Sequence, residues 1–440
     1  MNPLTQTTRR RSLRYGLAGL LAICTLGFWG CGGGDSGYPD PTASITTTKT
    51  ANALIEPATL KQWIDEGKVN NADPAYLDKV VVVTVATAAQ YAAQHVPGSL
   101  LLDAGSQLAI TRLDGVGTTG TEVLDGPSMD GLVQRMGVNG NTTVVFVASK
   151  GQNALNPARA YFTFRYWGFP RERLKVLNGG EDGWDKAATA GAWGPAFALS
   201  NAAAPTVAAS TFTVRNWYVA NGNSTANFGL RTAIGEMIGV VDRINAGSLA
   251  TDATGVSILD VRGGNPSVFI RTAGVDDFAQ YAASGTGNTS TYKPTSDLTA
   301  RLASFGITSA KSMTYVYCAS GHRASSVFFV LDGILGWPVS LYDGSWGQWS
   351  SYASTATANK VAAAWQTDVN SPGTTLNRSS GAITPAGTGI VLDAVANALY
   401  TSVTDARANQ MLNEDKAYFT SGSSKGGSSS TGGGGSSSGC

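Results

Sequence analysis

Cys318 opens the run Cys318-Ala319-Ser320-Gly321-His322-Arg323, directly after the apolar stretch Met313–Tyr317. A cysteine acts as a nucleophile only as its thiolate, and a free thiol with a pKa of about 8.5 is mostly protonated at neutral pH. A loop of this length between a strand and a helix starting near Ala324 can curl around the sulfur. Successive main-chain N–H groups would then face it, with the positive helix end behind. Gly321 allows the tight curl, and Arg323 closes it with a permanent cation. Leu259-Asp260-Val261-Arg262 ends a neighbouring strand and brings a second guanidinium with a carboxylate brace. His322 reads equally as a donor facing a bound molecule or as an exposed loop residue. A buried cysteine is ordinarily structural; Gly321 and Arg323 at these spacings favour a reactive one.

The rest of the composition removes several classes of function. The chain has two histidines, His95 and His322, and four cysteines, at 24, 31, 318 and 440. They assemble no metal-ligand spacing and no disulfide framework, and no cofactor is expected. The formal charge is +1, and no basic run exists outside the N-terminus, which argues against nucleic acid. Charged residues make up 14% of the chain, below the usual quarter, and Gly, Ser, Thr and Asn abound, as suits a protein outside the cytoplasm.

The N-terminus reads as an address. Arg9, Arg10, Arg11 and Arg14 precede a short apolar run from Tyr15 to Trp29, too short to span a membrane comfortably, followed by Gly30 and Cys31. Cys31 before a Gly tract resembles a bacterial lipoprotein processing site. That implies lipidation of Cys31, with export to the envelope (periplasm or outer membrane) and a membrane anchor. Thr8–Arg14 also resembles a twin-arginine signal, with Ser12 where Phe is usual.

An internal repeat organises the middle of the chain. Leu132–Ala148 lies beside Leu302–Cys318, Ala158–Gly168 beside Ser326–Gly336, and Leu174–Trp184 beside Val339–Trp349. Each pair passes from helix through a polar turn to strand, helix and strand again. This alternation predicts α/β architecture with mostly parallel sheets covered by helices on both faces. An opening helix is expected over 58–64, a buried strand over Val80–Val85, a helix through Ile234, Met237, Ile238, Val241 and Ile244, and a strand over Ser257–Val261.

With the repeat in place, four motifs resemble the rhodanese family in its two-domain form, over roughly Ile55 to Tyr352. His95-Val96-Pro97-Gly98-Ser99 is similar to the family's His-x-Pro-Gly-Ala turn. Asp260-Val261-Arg262 resembles its Asp-Val-Arg strand end, and Cys318…Gly321…Arg323 its Cys-x-x-Gly-x-Arg loop. Leu177-Asn178-Gly179-Gly180…Trp184 matches Leu-x-Gly-Gly…Trp. The first half departs from the pattern, with Thr84-Val85-Ala86 at the Asp-Val-Arg position and Ala148 at the cysteine. The second half lacks the His-x-Pro-Gly turn and carries a polar segment, Gly263–Ser296, of open role.

The resemblance implies two rhodanese-like domains, the first catalytically inactive. Expected boundaries are 1–31 signal peptide, 32–50 tether, 51–190 first domain, 191–211 linker, 212–420 second domain with a C-terminal extension, and 421–440 a Gly/Ser tail ending in Cys440. The implied activity is sulfur transfer from a sulfane donor such as thiosulfate to a thiol or cyanide through a Cys318 persulfide. Arg323, Arg262, Asp260, Gly321, Ser320, Ala319 and His322 would surround the substrate. A phosphatase of this fold needs a longer loop, usually with His before the Cys. The competing expectation is a carrier of sulfur or selenium oxyanions without turnover, in a redox assembly of the envelope; that reading allows an envelope redox partner. The tail would span roughly 25 Å, so Cys440 either resolves or accepts sulfur, links a partner, or ends a passive tail. His95 is expected to be structural.

Overall fold

The computed structural model describes Thr48 and residues 52–114, 117–220, 226–245, 247–264, 266, 270, 272–283, 290–352, 382–383, 392–393 and 410–421. Residues 1–31, read above as a signal peptide with Cys31, the expected tether 32–50 apart from Thr48, and the tail with Cys440 lie outside them.

The strands that build the molecule are β1 (Leu54–Ile55), β2 (Val80–Ala86), β3 (Leu100–Asp103), β4 (Ile110–Asp114), β5 (Gly117–Glu122), β6 (Thr143–Ala148), β7 (Leu174–Leu177), β8 (Arg231–Thr232), β9 (Val256–Asp260), β10 (Gly274–Val275), β11 (Met313–Tyr317) and β12 (Val339–Tyr342). One parallel sheet runs β1-β7-β6-β2-β3 and the other β8-β12-β11-β9-β10. The two orders are the same when the strands are matched through the sequence repeat. The expected fold class, mostly parallel sheets flanked by helices, is therefore the one observed.

Local chemistry explains the sheets. β2 reads Val-Val-Val-Val-Thr-Val-Ala and is buried along its whole length, as a strand covered on both faces must be. Its residues alternate between two layers. Val80 and Val82, with Val145 and Val147 of β6, pack on Leu60 and Trp63 of the helix Pro57–Asp65 and on Trp184 of the helix Gly180–Ala190. On the opposite face Phe146 meets Phe164 of the helix Leu155–Tyr166 edge-on, with ring centroids 5.0 Å apart. In the second sheet Val256, Ile258, Tyr315, Tyr317 and Tyr342 pack on the helix Ile234–Asn245 and on Trp349.

The two sheet units meet through the helix Leu155–Tyr166 and the helix Ala324–Phe328, which continues as a π-helix through Phe329–Leu335. Tyr161 and Phe329 occupy equivalent places in the repeat and touch each other, centroids 4.8 Å apart, as residues beside a two-fold axis do. The crossing segments are also reciprocal. The β4–β5 hairpin follows β3 and leads to Val123, whose N–H donates to Asp343 Oδ2 at 2.9 Å. The segment after β10 leads to Tyr292, whose N–H donates to Asn178 Oδ1 at 3.0 Å. Asn178 and Asp343 are themselves repeat equivalents. Of the polar stretch Gly263–Ser296, Ser290 and Tyr292 thus meet the first unit, while Ile270, Thr272 and Asp276 pack or bond within the second.

Two further segments dock on the first unit. Within 191–211, Trp193, Phe197 and Leu199 lie against its core, and Trp184 Nε1 donates to Phe197 O at 2.8 Å. The helix Gln410–Thr420 returns from the C-terminal extension, pairing Asp415 with Arg112 and setting Tyr418 OH on Asp130. Among the described residues no helix is long and apolar enough to cross a membrane.

Candidate active site

β11 delivers Cys318 to the end of the second sheet, where the residue is wholly buried. The turn after β12 clamps its backbone. Cys318 N donates to Ser345 Oγ at 3.2 Å, Trp346 N donates to Cys318 O at 3.0 Å, and Gly347 N to Ala319 O at 2.9 Å. Ser345 holds this place at φ +53°, the left-handed region, matching Gly180 at φ +54° in the first unit. Gly321 adopts φ +78°, and a Cβ there would lie 2.4 Å from Asp343 O, so only glycine fits.

The loop amides distinguish the two units. In the second, the main-chain N–H groups of Ala319, Ser320, Gly321, His322 and Arg323 donate to no acceptor among the described residues. In the first, Lys150 N donates to Glu181 Oε2 at 2.9 Å and Gly151 N to Asp182 Oδ2 at 2.7 Å. By the repeat, Lys150 and Gly151 correspond to Ser320 and Gly321, while Glu181 and Asp182 correspond to Trp346 and Gly347. The first loop is thus capped by its own carboxylates beside Ala148. The second loop lacks those carboxylates, and its five amides are without an acceptor among the described residues, as a loop that binds an anion would be. Burial pushes the Glu181 carboxyl up to about 7, against the bonds from Lys150 N and Thr84 that favour its charge.

The charged residues around Cys318 divide by role. Asp260 is wholly buried at the end of β9; it receives Arg262 Nε at 2.8 Å and the hydroxyl of Tyr317 at 2.8 Å. Asp260 therefore braces Arg262. Arg262 also lies over the Trp346 ring, 4.4 Å from its centroid. Arg323 is exposed, donates to Arg262 O at 3.1 Å and covers Phe278 at 5.3 Å. His322 is half-buried, and its Nε2 donates to Asn156 Oδ1 at 2.9 Å. Burial and then the nearby Arg159 push its pKa down to about 4, so the ring is neutral. Of its two readings, the exposed loop residue does not hold, because Asn156 of the first unit lies against the ring.

Beneath the loop lies a charge network that sequence reasoning missed. Arg159 Nη1 meets Asp343 Oδ1 at 2.5 Å with both side chains fully buried. Arg231 pairs with Glu122 at 2.8 Å, also fully buried. Burial raises the Asp343 carboxyl, but Arg159 and Arg231 outweigh it and hold the group well below its ordinary value. Only the pairing of buried residues of opposite sign hints at this in sequence, because the partners are up to 184 positions apart. His95 is structural as expected: its Nδ1 lies 2.8 Å from Tyr91 O and its ring stacks on Tyr91, centroids 3.9 Å apart. No cluster of His, Cys, Asp or Glu among the described residues is placed to hold a metal ion.

Fold and loop together define an α/β protein with a buried cysteine at a strand end and open main-chain donors. Residues 56–187, in the first unit, match the family model of the rhodanese-like domain. Rhodanese-like domains support sulfur-transfer chemistry in general. Among solved structures, a variant of EanB in complex with ergothioneine is similar at 18% identity and TM-score 0.50, covering 69% of each chain. YnjE is 20% identical with TM-score 0.47, over 68% of this chain and 66% of its own. The anaerobic ergothioneine biosynthesis enzyme from Chlorobium limicola, in complex with trimethyl histidine, is 19% identical with TM-score 0.48, over 68% of each chain. The chain thus spans about two thirds of the length of these structures. At this identity the EanB likeness speaks for the fold alone. No curated protein matches the chain.

Proposed function

We propose that this protein is a sulfurtransferase whose second unit is a catalytic rhodanese-like domain working through a Cys318 persulfide. The carrying observation is the run of five open amides, Ala319 to Arg323, beside a buried cysteine, set against a first loop that its own carboxylates fill. Main-chain donors favour the ionised form of an anion placed among them. The same donors suit the terminal sulfur of a persulfide.

With thiosulfate as donor, the Cys318 thiolate attacks the sulfane sulfur. A new S–S bond forms to Cys318, the S–S bond of thiosulfate breaks, and sulfite leaves with the bonding pair. Cyanide or a thiolate then attacks the outer sulfur; thiocyanate or a new persulfide departs and the Cys318 thiolate returns. Neither half-reaction needs a proton relay, which agrees with a neutral His322 tied to Asn156.

The test is thiocyanate formation from thiosulfate and cyanide by the full chain, with thiols and trimethyl histidine as further acceptors. Donor treatment should add one sulfur atom to Cys318, and Cys318→Ser should abolish turnover. Turnover retained in that variant rejects the assignment. A persulfide without turnover would instead favour the oxyanion- or sulfur-carrier reading. We place the protein in the bacterial envelope, anchored through Cys31; metabolic labelling with palmitate, lost in Cys31→Ser, tests this. Removing the residues after Ser421 tests whether Cys440 accepts sulfur from Cys318: unchanged turnover discards that role.

A further inference from the structure

Two residues of the cysteine loop are bonded directly, and the one between them indirectly, from the unit that has no cysteine. Thr121, on β5, donates its hydroxyl to Ser320 O at 2.5 Å. Asp343, against which Gly321 packs, is gripped by Arg159 and by Val123 N. Asn156, in the first turn of the helix Leu155–Tyr166, accepts from His322 Nε2 at 2.9 Å. Arg159 also donates to Thr121 O at 2.6 Å, joining these supports into one assembly.

We infer that Thr121 and Asn156 are positioning residues through which the cysteine-free unit aims the main-chain amides of the loop. The physical reason lies in peptide planarity. In a trans peptide the C=O and the following N–H point in opposite directions within one plane. Fixing Ser320 O on Thr121 therefore fixes the direction of Gly321 N–H, and the His322–Asn156 bond anchors the chain one residue further on. Among the described residues, the N–H groups from Ala319 to Arg323 make no bond of their own that would do this. The peptides on either side are held within the second unit, Ala319 O by Gly347 N and Gly321 O by Ser325 N and Oγ, so among the described residues the Thr121 bond is what opposes a flip of the Ser320–Gly321 peptide itself. The first unit then has a task that does not need a nucleophile: it fixes the direction in which the loop presents its amides beside Cys318.

The inference rests on Cys318 being the site of the proposed persulfide, and its test separates the two. In the full chain, the rate of iodoacetamide alkylation of the Cys318 peptide is followed against pH by mass spectrometry, beside single-turnover persulfide formation from thiosulfate. Thr121→Val and Asn156→Ala are expected to move the alkylation midpoint to higher pH and slow persulfide formation about tenfold. The donor KM should stay within about twofold, because binding is not what these residues supply. Thr121→Ser, which keeps the hydroxyl, should restore wild-type behaviour. Thr121→Ala repeats the test if the valine variant does not fold. A wild-type midpoint in folded Thr121 and Asn156 variants overturns the inference and leaves the sulfurtransferase reading intact. A shifted midpoint in a protein that transfers no sulfur upholds the positioning and rejects that reading.

Discussion

Glu181 and Trp346 occupy equivalent positions in the two halves of the chain, and that exchange decides which loop keeps its amides open. Glu181 accepts the N–H of Lys150; at the matching place Trp346 presents a ring, which lies against Arg262. A carboxylate among main-chain donors is the internal counterpart of a bound anion. Trp346→Glu should therefore cap Ser320 N–H and remove the Arg262 stack. The expected result is a loss of turnover on the order of a hundredfold, with the fold retained by circular dichroism. Wild-type turnover in that variant would show that the open amides are not what the reaction uses.

The pH dependence of stability tests the capped loop. Glu181 rises from 4.5 to about 7 in the folded protein, so folding favours its protonated form. That contribution is present below about pH 4.5 and is lost as pH rises through about 7. Glu181→Gln keeps an oxygen for Lys150 N and carries no charge. Its melting temperature should gain on the wild type as pH increases from about 5 to 8. A constant difference across that range refutes the assignment of the shift to Glu181.

His322 gives the opposite window. Its pKa falls from 6.5 to about 4 on folding, so the neutral ring is favoured. The associated stability is present above about pH 6.5 and is lost as pH falls through about 4. Replacement by Gln, which also offers an N–H to Asn156, should flatten the decline of unfolding free energy between these values. Denaturant titrations at several pH values read this directly.

Arg159 and Asp343 should behave as a buried pair whose members cannot be removed singly. Asp343→Ala leaves a buried guanidinium without its carboxylate and the Val123 amide without its acceptor. We expect a loss of about 3–5 kcal/mol in unfolding free energy. Arg159→Met combined with Asp343→Ala should cost less than the sum of the single changes. Additive effects would mean that the two groups do not depend on each other.

Gly321→Ala places a Cβ against Asp343 at a backbone angle that side chains resist. Strain of about 1–3 kcal/mol should appear as a lower melting temperature, and persulfide formation should slow because the amides on either side turn with the backbone. Normal persulfide formation in a folded Gly321→Ala protein would show that the loop needs no left-handed residue there.

Much of the fold was legible in the chain because it rests on local patterns. The valine run of β2, the strand Val256–Asp260 ahead of Arg262, and the helical spacing from Ile234 to Ile244 each reflect a period that a short window contains. The glycine at 321 and the Cys-to-Arg spacing belong to one continuous loop, so the candidate nucleophile and its amides could be read together. The repeat even paired Glu181 with Trp346, a difference that sequence reading passed over because neither residue announces what it will face.

Which distant groups meet was decided only by the tertiary structure. His322 reaches Asn156 across 166 positions, Asp343 reaches Arg159 across 184, and the β4–β5 hairpin brings Thr121 to Ser320 across 199. No local pattern encodes such contacts, because they arise from packing two similar units face to face. The same packing sets Asn156 against His322 and leaves its ring neutral. Composition and spacing chose the cysteine and its loop; the burial of charge between the two halves set the electrostatics around it, since desolvation depends on where the whole chain lies.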